Sequence, residues 1–98
     1  MATIPPLKEF AKDPDSKLDY TLDWSKWLGS DTVTVSVWIL EPADGNLTDS
    51  APSVDAAGKR TTVWLEAGAV GSYRVTNRVT TAAGRIADRS FTLVIAER

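Results

Sequence analysis

The sequence predicts an all-β protein, an antiparallel immunoglobulin-like β-sandwich of about six or seven strands with an extended N-terminal arm. Short runs rich in Val, Ile, Thr and aromatic residues alternate polar with apolar side chains, as half-buried strands do. Clusters of Gly, Pro, Asn and Asp separate these runs at intervals of roughly 8–12 residues, and no segment has the longer period of a helix. A chain of 98 residues has the length of one domain.

The N-terminal arm is predicted at residues 1–16, and the sandwich domain at residues 17–98. Pro5 and Pro6 favour an extended backbone, and Pro14, between two aspartates, favours a turn. Three apolar side chains recur at every third position of the arm and could dock on a neighbouring protein: Ile4, Leu7 and Phe10. A frayed terminus is the alternative.

The first strands of the domain are marked by alternation. Residues 18–24 place apolar side chains at every second position, which predicts a half-buried strand, and residues 25–29 fit a single helical turn. Residues 31–40 form the clearest strand, rich in Val and Thr. Irregular residues 41–60 leave room for one or two short edge strands. Further strands are predicted at residues 60–66, 73–81 and 86–95, the last two as a hairpin.

Trp38 is the residue on which an interface depends. If the strand buries the face that carries Val33, Val35, Val37 and Ile39, Trp38 and Leu40 lie outside and form an exposed apolar patch typical of a protein interface. Two alternatives stay open: Trp38 as an ordinary core residue, or as part of a sugar-stacking platform built from the four tryptophans.

Composition excludes most chemistry. The chain has no Cys and no His, so it lacks a thiol nucleophile, a thiolate metal site and the commonest general base. We therefore expect neither enzyme activity nor a cofactor or metal. The formal net charge of −2 argues against nucleic-acid binding, and no apolar run has the length of a membrane span.

Charged residues point to contacts with protein. Arg74 and Arg78 alternate along one face of a predicted strand and could meet an acidic partner or pair within the chain. A string of aspartates near the start of the domain fits ion pairs with Arg78, Arg85 or Arg89 better than a cation site. The Asp44-Gly45-Asn46 sequence is interpreted as a turn.

Several segments resemble one family. These are residues 12–28 (KDPDSKLDYTLDWSKWL), 62–65 (TVWL), 73–81 (YRVTNRVTT), 84–85 (GR) and 88–93 (DRSFTL). They resemble small immunoglobulin-like virion-associated structural proteins of tailed bacteriophages, and the resemblance covers most of residues 12–95.

The resemblance implies a virion structural protein synthesised in the host bacterial cytoplasm. We expect a capsid decoration or cementing protein on the head surface, bound to the major capsid protein or other virion proteins and homo-oligomeric on the particle. A neck or tail component is one alternative, and a module that binds host surface glycan weakly is another. The expected contact residues are Ile4, Leu7, Phe10, Trp38, Leu40, Arg74 and Arg78.

Overall fold

The computed structural model describes residues 8–97, which form two β-sheets packed face to face. This confirms the predicted all-β sandwich. Within this span, no helix is long and apolar enough to cross a membrane. The elements are β1 (Lys8–Lys12), β2 (Lys17–Asp23), α1 (Ser25–Leu28), β3 (Val33–Glu41), β4 (Leu47–Val54), β5 (Arg60–Ala67), β6 (Gly71–Thr81) and β7 (Ile86–Ile95).

The two sheets differ in size. The four-stranded sheet has the order β1-β7-β6-β3, and the three-stranded sheet has the order β2-β5-β4. All neighbouring strands pair antiparallel except β1 and β7, which run parallel. Strand β3 is therefore an edge of the larger sheet, whereas β5 is the centre of the smaller one.

Part of the predicted arm belongs to the sandwich. Strand β1 pairs with β7 from Lys8 opposite Phe91 to Lys12 opposite Ile95. Lys12 is buried, and its Nζ donates hydrogen bonds to the main-chain oxygens of Asp13 (2.8 Å) and Ala67 (2.6 Å). The bond to Ala67, the last residue of β5, holds the end of β1 against the domain, so residues 8–12 are extended but do not reach away from it.

Phe10 contacts its own domain. Its ring lies edge-on to Tyr20 and Phe91, with centroid separations of 5.5 and 5.2 Å. Phe10 therefore packs at the sandwich edge and keeps 39% of its surface exposed, and its docking on a neighbouring protein stays a prediction. Ile4 and Leu7 lie outside the described residues.

The core lies between the sheets. Its main cluster contains Tyr20, Trp38, Leu47, Val63, Leu65, Tyr73, Val75, Phe91, Leu93 and Ile95, with Leu40 packed against it. A second cluster at one end contains Trp24, Leu28, Val33 and Val79. Trp38 is only 9% exposed, so Trp38 and Leu40 are core residues and not the exposed patch expected from the sequence.

Strand β3 buries the face that carries Trp38 instead of the predicted valine face, and this difference has a physical cause. The register shifts between Val33 and Val35, so Val33 is buried while Val35 and Val37 face outward. Trp38 and Leu40 give the second face large apolar side chains as well, and burying the indole of Trp38 removes more apolar surface from water than burying a valine. The aromatic face therefore becomes the core face.

The loops close with side-chain hydrogen bonds. The Tyr73 hydroxyl donates to Asp44 Oδ2 (2.6 Å) and accepts from the main-chain N–H of Ala69 (3.0 Å), which joins two loops at one end of the domain. Asp44 Oδ1 also accepts from the N–H of Asn46 (2.9 Å), a local turn contact that agrees with the turn predicted there.

Candidate interaction surface

The outer face of the four-stranded sheet carries neighbouring exposed apolar side chains on β3. Val35 is 51% exposed and Val37 is 46% exposed, and Ile39 beside them is half-buried. On the neighbouring strand β6, Arg74 and Arg78 share this face, because Arg78 lies opposite Val37. We call these five residues the Val–Arg face.

The two arginines of this face differ in their pairing. Nε and Nη2 of Arg78 donate to the two carboxylate oxygens of Asp88 at 2.8 and 2.9 Å. These hydrogen bonds hold the pKa of Asp88 below its ordinary value. Arg74 belongs to none of the ion pairs found within residues 9–97. The guanidinium of Arg74 is thus the one that a partner protein can engage without breaking a bond within the chain.

The buried side chain of Asn77 on β6 holds strand β3 in place through hydrogen bonds. Asn77 Nδ2 donates to Ser36 Oγ (2.9 Å) and to the main-chain oxygen of Val37 (3.1 Å). Asn77 Oδ1 accepts from Trp24 Nε1 (3.0 Å) and from Thr61 Oγ1 (2.7 Å). All four hydrogen-bonding positions of this amide are filled. The Val–Arg face is thereby fixed to the opposite sheet.

The predicted ion pairs of the arginines involve other partners. Instead of the aspartates near the start of the domain, Arg78 pairs with Asp88 and Arg85 pairs with Asp31. Arg89 lies over the Trp24 ring at 4.3 Å and donates to the main-chain oxygen of Asp23 at 2.7 Å. Arg89 thus contacts Asp23 through the main-chain oxygen of that residue and contacts the Trp24 indole, and it does not pair with an aspartate side chain.

Arg85 and Asp31 fix the end of the domain next to α1. The guanidinium of Arg85 lies 4.3 Å from the centre of the Trp27 ring and donates to the main-chain oxygen of Leu28 (3.0 Å). Hydrogen bonds from the Thr81 side chain, from two main-chain N–H groups and from Arg85 lower the pKa of Asp31 to about 2. Sequence reasoning had assigned Asp31 no role, because its partners come from a distant hairpin.

The tryptophans do not form a shared sugar platform. Trp24 and Trp38 are buried, Trp27 is half-buried beneath Arg85, and Trp64 alone has more than a third of its surface exposed. Across the residues that the structure describes, no three acidic side chains come together as a metal site would require. The surface features are therefore apolar and cationic on one sheet and a single indole on the other.

Comparisons with known proteins give the same fold and add a family. Among solved structures, the chain is similar to the solution structure of the PKD domain from the KIAA 1837 protein, with 22% sequence identity and a TM-score of 0.51. The similarity covers 99% of this chain and 86% of that chain, and it shows an immunoglobulin-like fold. No curated protein matches.

The family model that matches the chain is described as podophage GP4 fiber-tail adaptor protein gp77, and the match spans residues 12–94. It includes every strand from β2 to β6 and nearly all of β7. The chain therefore belongs to this family and is a small immunoglobulin-like structural protein of a bacteriophage virion.

Proposed function

We propose that the chain is a tail-associated structural protein that joins a tail fibre to the tail through protein–protein contacts. The family match over residues 12–94 is the observation that supports this role. It favours the neck or tail alternative over the head surface that we expected from the sequence. Tail and fibre proteins, rather than the major capsid protein, are the partners that fit the role. The role is structural and requires no catalytic step.

The Val–Arg face supplies the physical basis for one of these contacts. Val35 and Val37 are exposed on an edge strand, and covering them with a partner protein removes apolar surface from water. Arg74, opposite Glu41 at the end of the same face, adds a charged group that can pair with a carboxylate or a carbonyl of the partner. Because the face is a sheet anchored through Asn77, little conformational entropy is lost on binding.

The experiment compares phages that carry single substitutions in this protein. Val37→Asp places a charge in the centre of the Val–Arg face, and Val70→Asp makes the same change at an exposed valine outside the strands. We expect purified Val37→Asp particles to lose at least ten-fold of their fibre protein relative to tail protein, measured by quantitative mass spectrometry. The Val70→Asp particles should match the wild type.

The outcomes test the proposed fibre–tail role and the proposed contact surface separately. Particles assembled without this protein should lack fibres; if they retain fibres and instead have unstable heads, the proposed role is wrong and the head-surface hypothesis is right. If the protein is required for fibres but Val37→Asp behaves as Val70→Asp does, the role stands and the Val–Arg face is not the contact. Folding of both variants is checked by circular dichroism of the purified chain.

A further inference from the structure

Trp64 lies at the centre of the other outer face of the sandwich. It belongs to β5, the middle strand of the three-stranded sheet, with Asp19 of β2 directly opposite on one side and Ser50 of β4 on the other. The indole is 37% exposed although it is flanked by strands on both sides. A large aromatic side chain on a rigid, central strand has the position and composition of an interface hot spot.

Trp27 shows how this chain covers a partly exposed indole. At the end of the domain, Arg85 lies over Trp27 while the same guanidinium pairs with the carboxylate of Asp31, at 3.1 Å from Oδ2. This is a three-part arrangement of indole, guanidinium and carboxylate. Trp64 and Asp19 supply the indole and the carboxylate of the same arrangement, without the guanidinium. Among the described residues, no cationic group lies over the Trp64 ring.

The charges around Trp64 favour a cation. Asp19 faces it across the strand pair, and no cation lies opposite that aspartate. Glu66 lies two residues further along β5 on the same face of the sheet, with Lys17 directly opposite it. Two carboxylates and one ammonium group therefore neighbour the ring, and their summed charge is negative. Neither carboxylate belongs to an ion pair within residues 9–97. Both side chains are exposed, so a partner can reach them. An arginine suits this site better than a lysine, because a planar guanidinium stacks on an indole while it donates to a carboxylate.

We infer that Trp64, Asp19 and Glu66 form a second interaction site, which binds an arginine side chain presented by a partner protein. The site faces away from the Val–Arg face, since the two sheets turn opposite outer faces to solvent. The inference rests on the geometry at Trp64 and does not require the fibre–tail role. If that role holds, the two faces give the protein separate contacts for two partners.

The test uses the full chain labelled with ¹⁵N and follows the indole N–H resonances during titration. The probe is the peptide acetyl-Gly-Arg-Gly-Arg-Gly-amide, and its counterpart carries the neutral citrulline in place of arginine. We expect the arginine peptide to shift the Trp64 resonance selectively. The citrulline peptide should bind at least roughly three-fold more weakly, since a cation over an exposed aromatic ring contributes about that factor.

Substitutions locate the binding site. Asp19→Asn keeps the shape of the side chain, removes its charge and should weaken binding of the arginine peptide roughly three-fold, as the loss of an exposed ion pair does. Glu41→Gln is the matched control, because it removes an exposed carboxylate from the larger sheet and should change nothing. In the Trp64 variants, which lack the indole, binding is followed by the backbone N–H resonances of Asp19 and Leu65. Trp64→Leu should abolish the binding, and Trp64→Phe keeps an aromatic ring as a second variant if the leucine protein does not fold.

Four results would overturn the inference. The first is the absence of any shift of Trp64, and the second is an equal response to the arginine and citrulline peptides. A third is a shift of Trp64 with soluble oligosaccharide but not with the arginine peptide, which would make the site a glycan platform. The fourth is a Trp64 shift that depends on protein concentration without peptide, which would make a second copy of the chain the occupant.

Discussion

Replacing Asn77 with alanine is expected to destabilise the domain strongly, because this one amide joins both sheets. It accepts hydrogen bonds from Trp24 and Thr61 and donates two to β3. Alanine removes all four. The Thr61 hydroxyl then loses its acceptor, and the Trp24 indole keeps only a long contact of 3.3 Å with Thr61 Oγ1.

The size of the effect follows from the groups left behind. Each buried polar group without a partner costs about 1–3 kcal/mol, and the space left by the amide adds a cavity term. The Trp24 contact and repositioning of the Ser36 hydroxyl offset part of this loss. We expect a loss of about 3 kcal/mol from a total free energy of unfolding of roughly 5–15 kcal/mol for a domain of this size. The melting temperature should fall by about 10–20 °C.

The assay is urea unfolding followed by tryptophan fluorescence and circular dichroism. Thr61→Val is the matched comparison, because it keeps the shape of Thr61 and leaves the Asn77 bonds to Trp24 and β3 intact; it should cost about 1 kcal/mol. If Asn77→Ala loses less than about 1 kcal/mol, or no more than Thr61→Val, the amide is not the link between the sheets.

Two further predictions concern buried hydroxyls and acid. Tyr20→Phe should leave stability unchanged or raise it by up to about 1 kcal/mol, since the Tyr20 hydroxyl is buried and has no hydrogen-bond partner among the described residues. Tyr73→Phe removes two hydrogen bonds and should cost about 1–2 kcal/mol in the same urea unfolding assay. Equal losses would contradict this. The folded state holds the pKa of Asp31 at about 2, below its ordinary 3.8, so Asp31 binds fewer protons folded than unfolded. Its stabilising contribution is complete above pH 3.8 and disappears as the pH falls through about 2, and Asp31→Asn should flatten this part of the acid unfolding curve. Parallel curves for the two proteins would refute it.

Local alternation was sufficient to predict most strands. The strand at residues 18–24 and the hairpin at 73–81 and 86–95 are found close to their predicted positions as β2, β6 and β7. The strand β1 escaped prediction because its pairing with β7 joins residues more than eighty positions apart in a parallel register. The pattern of five residues alone does not indicate which distant strand they pair with.

Sequence reasoning about the surface succeeded where only one face of a strand was apolar. Arg74 and Arg78 lie on an outer face, as their alternation with buried Val75 and Val79 indicates. The same argument applies to Trp64. Buried Val63 and Leu65 flank it, so the alternation of the strand places Trp64 on the outer face, and the sequence pattern already indicates this position. Sequence reasoning failed for β3, where both faces carry large apolar side chains and a register shift decides which face is buried.

The parallel pairing of β1 with β7 has a mechanical consequence. Tension applied through the chain on both sides of the sandwich pulls β1 from its Lys8 end and β7 from its Ile95 end, in opposite directions along neighbouring strands. The hydrogen bonds between them are then loaded together in shear, and none can be opened singly as in a zipper. At the far end of β1, Lys12 adds a hydrogen bond to Ala67 of the other sheet. The domain is thus arranged to resist being drawn out along its length.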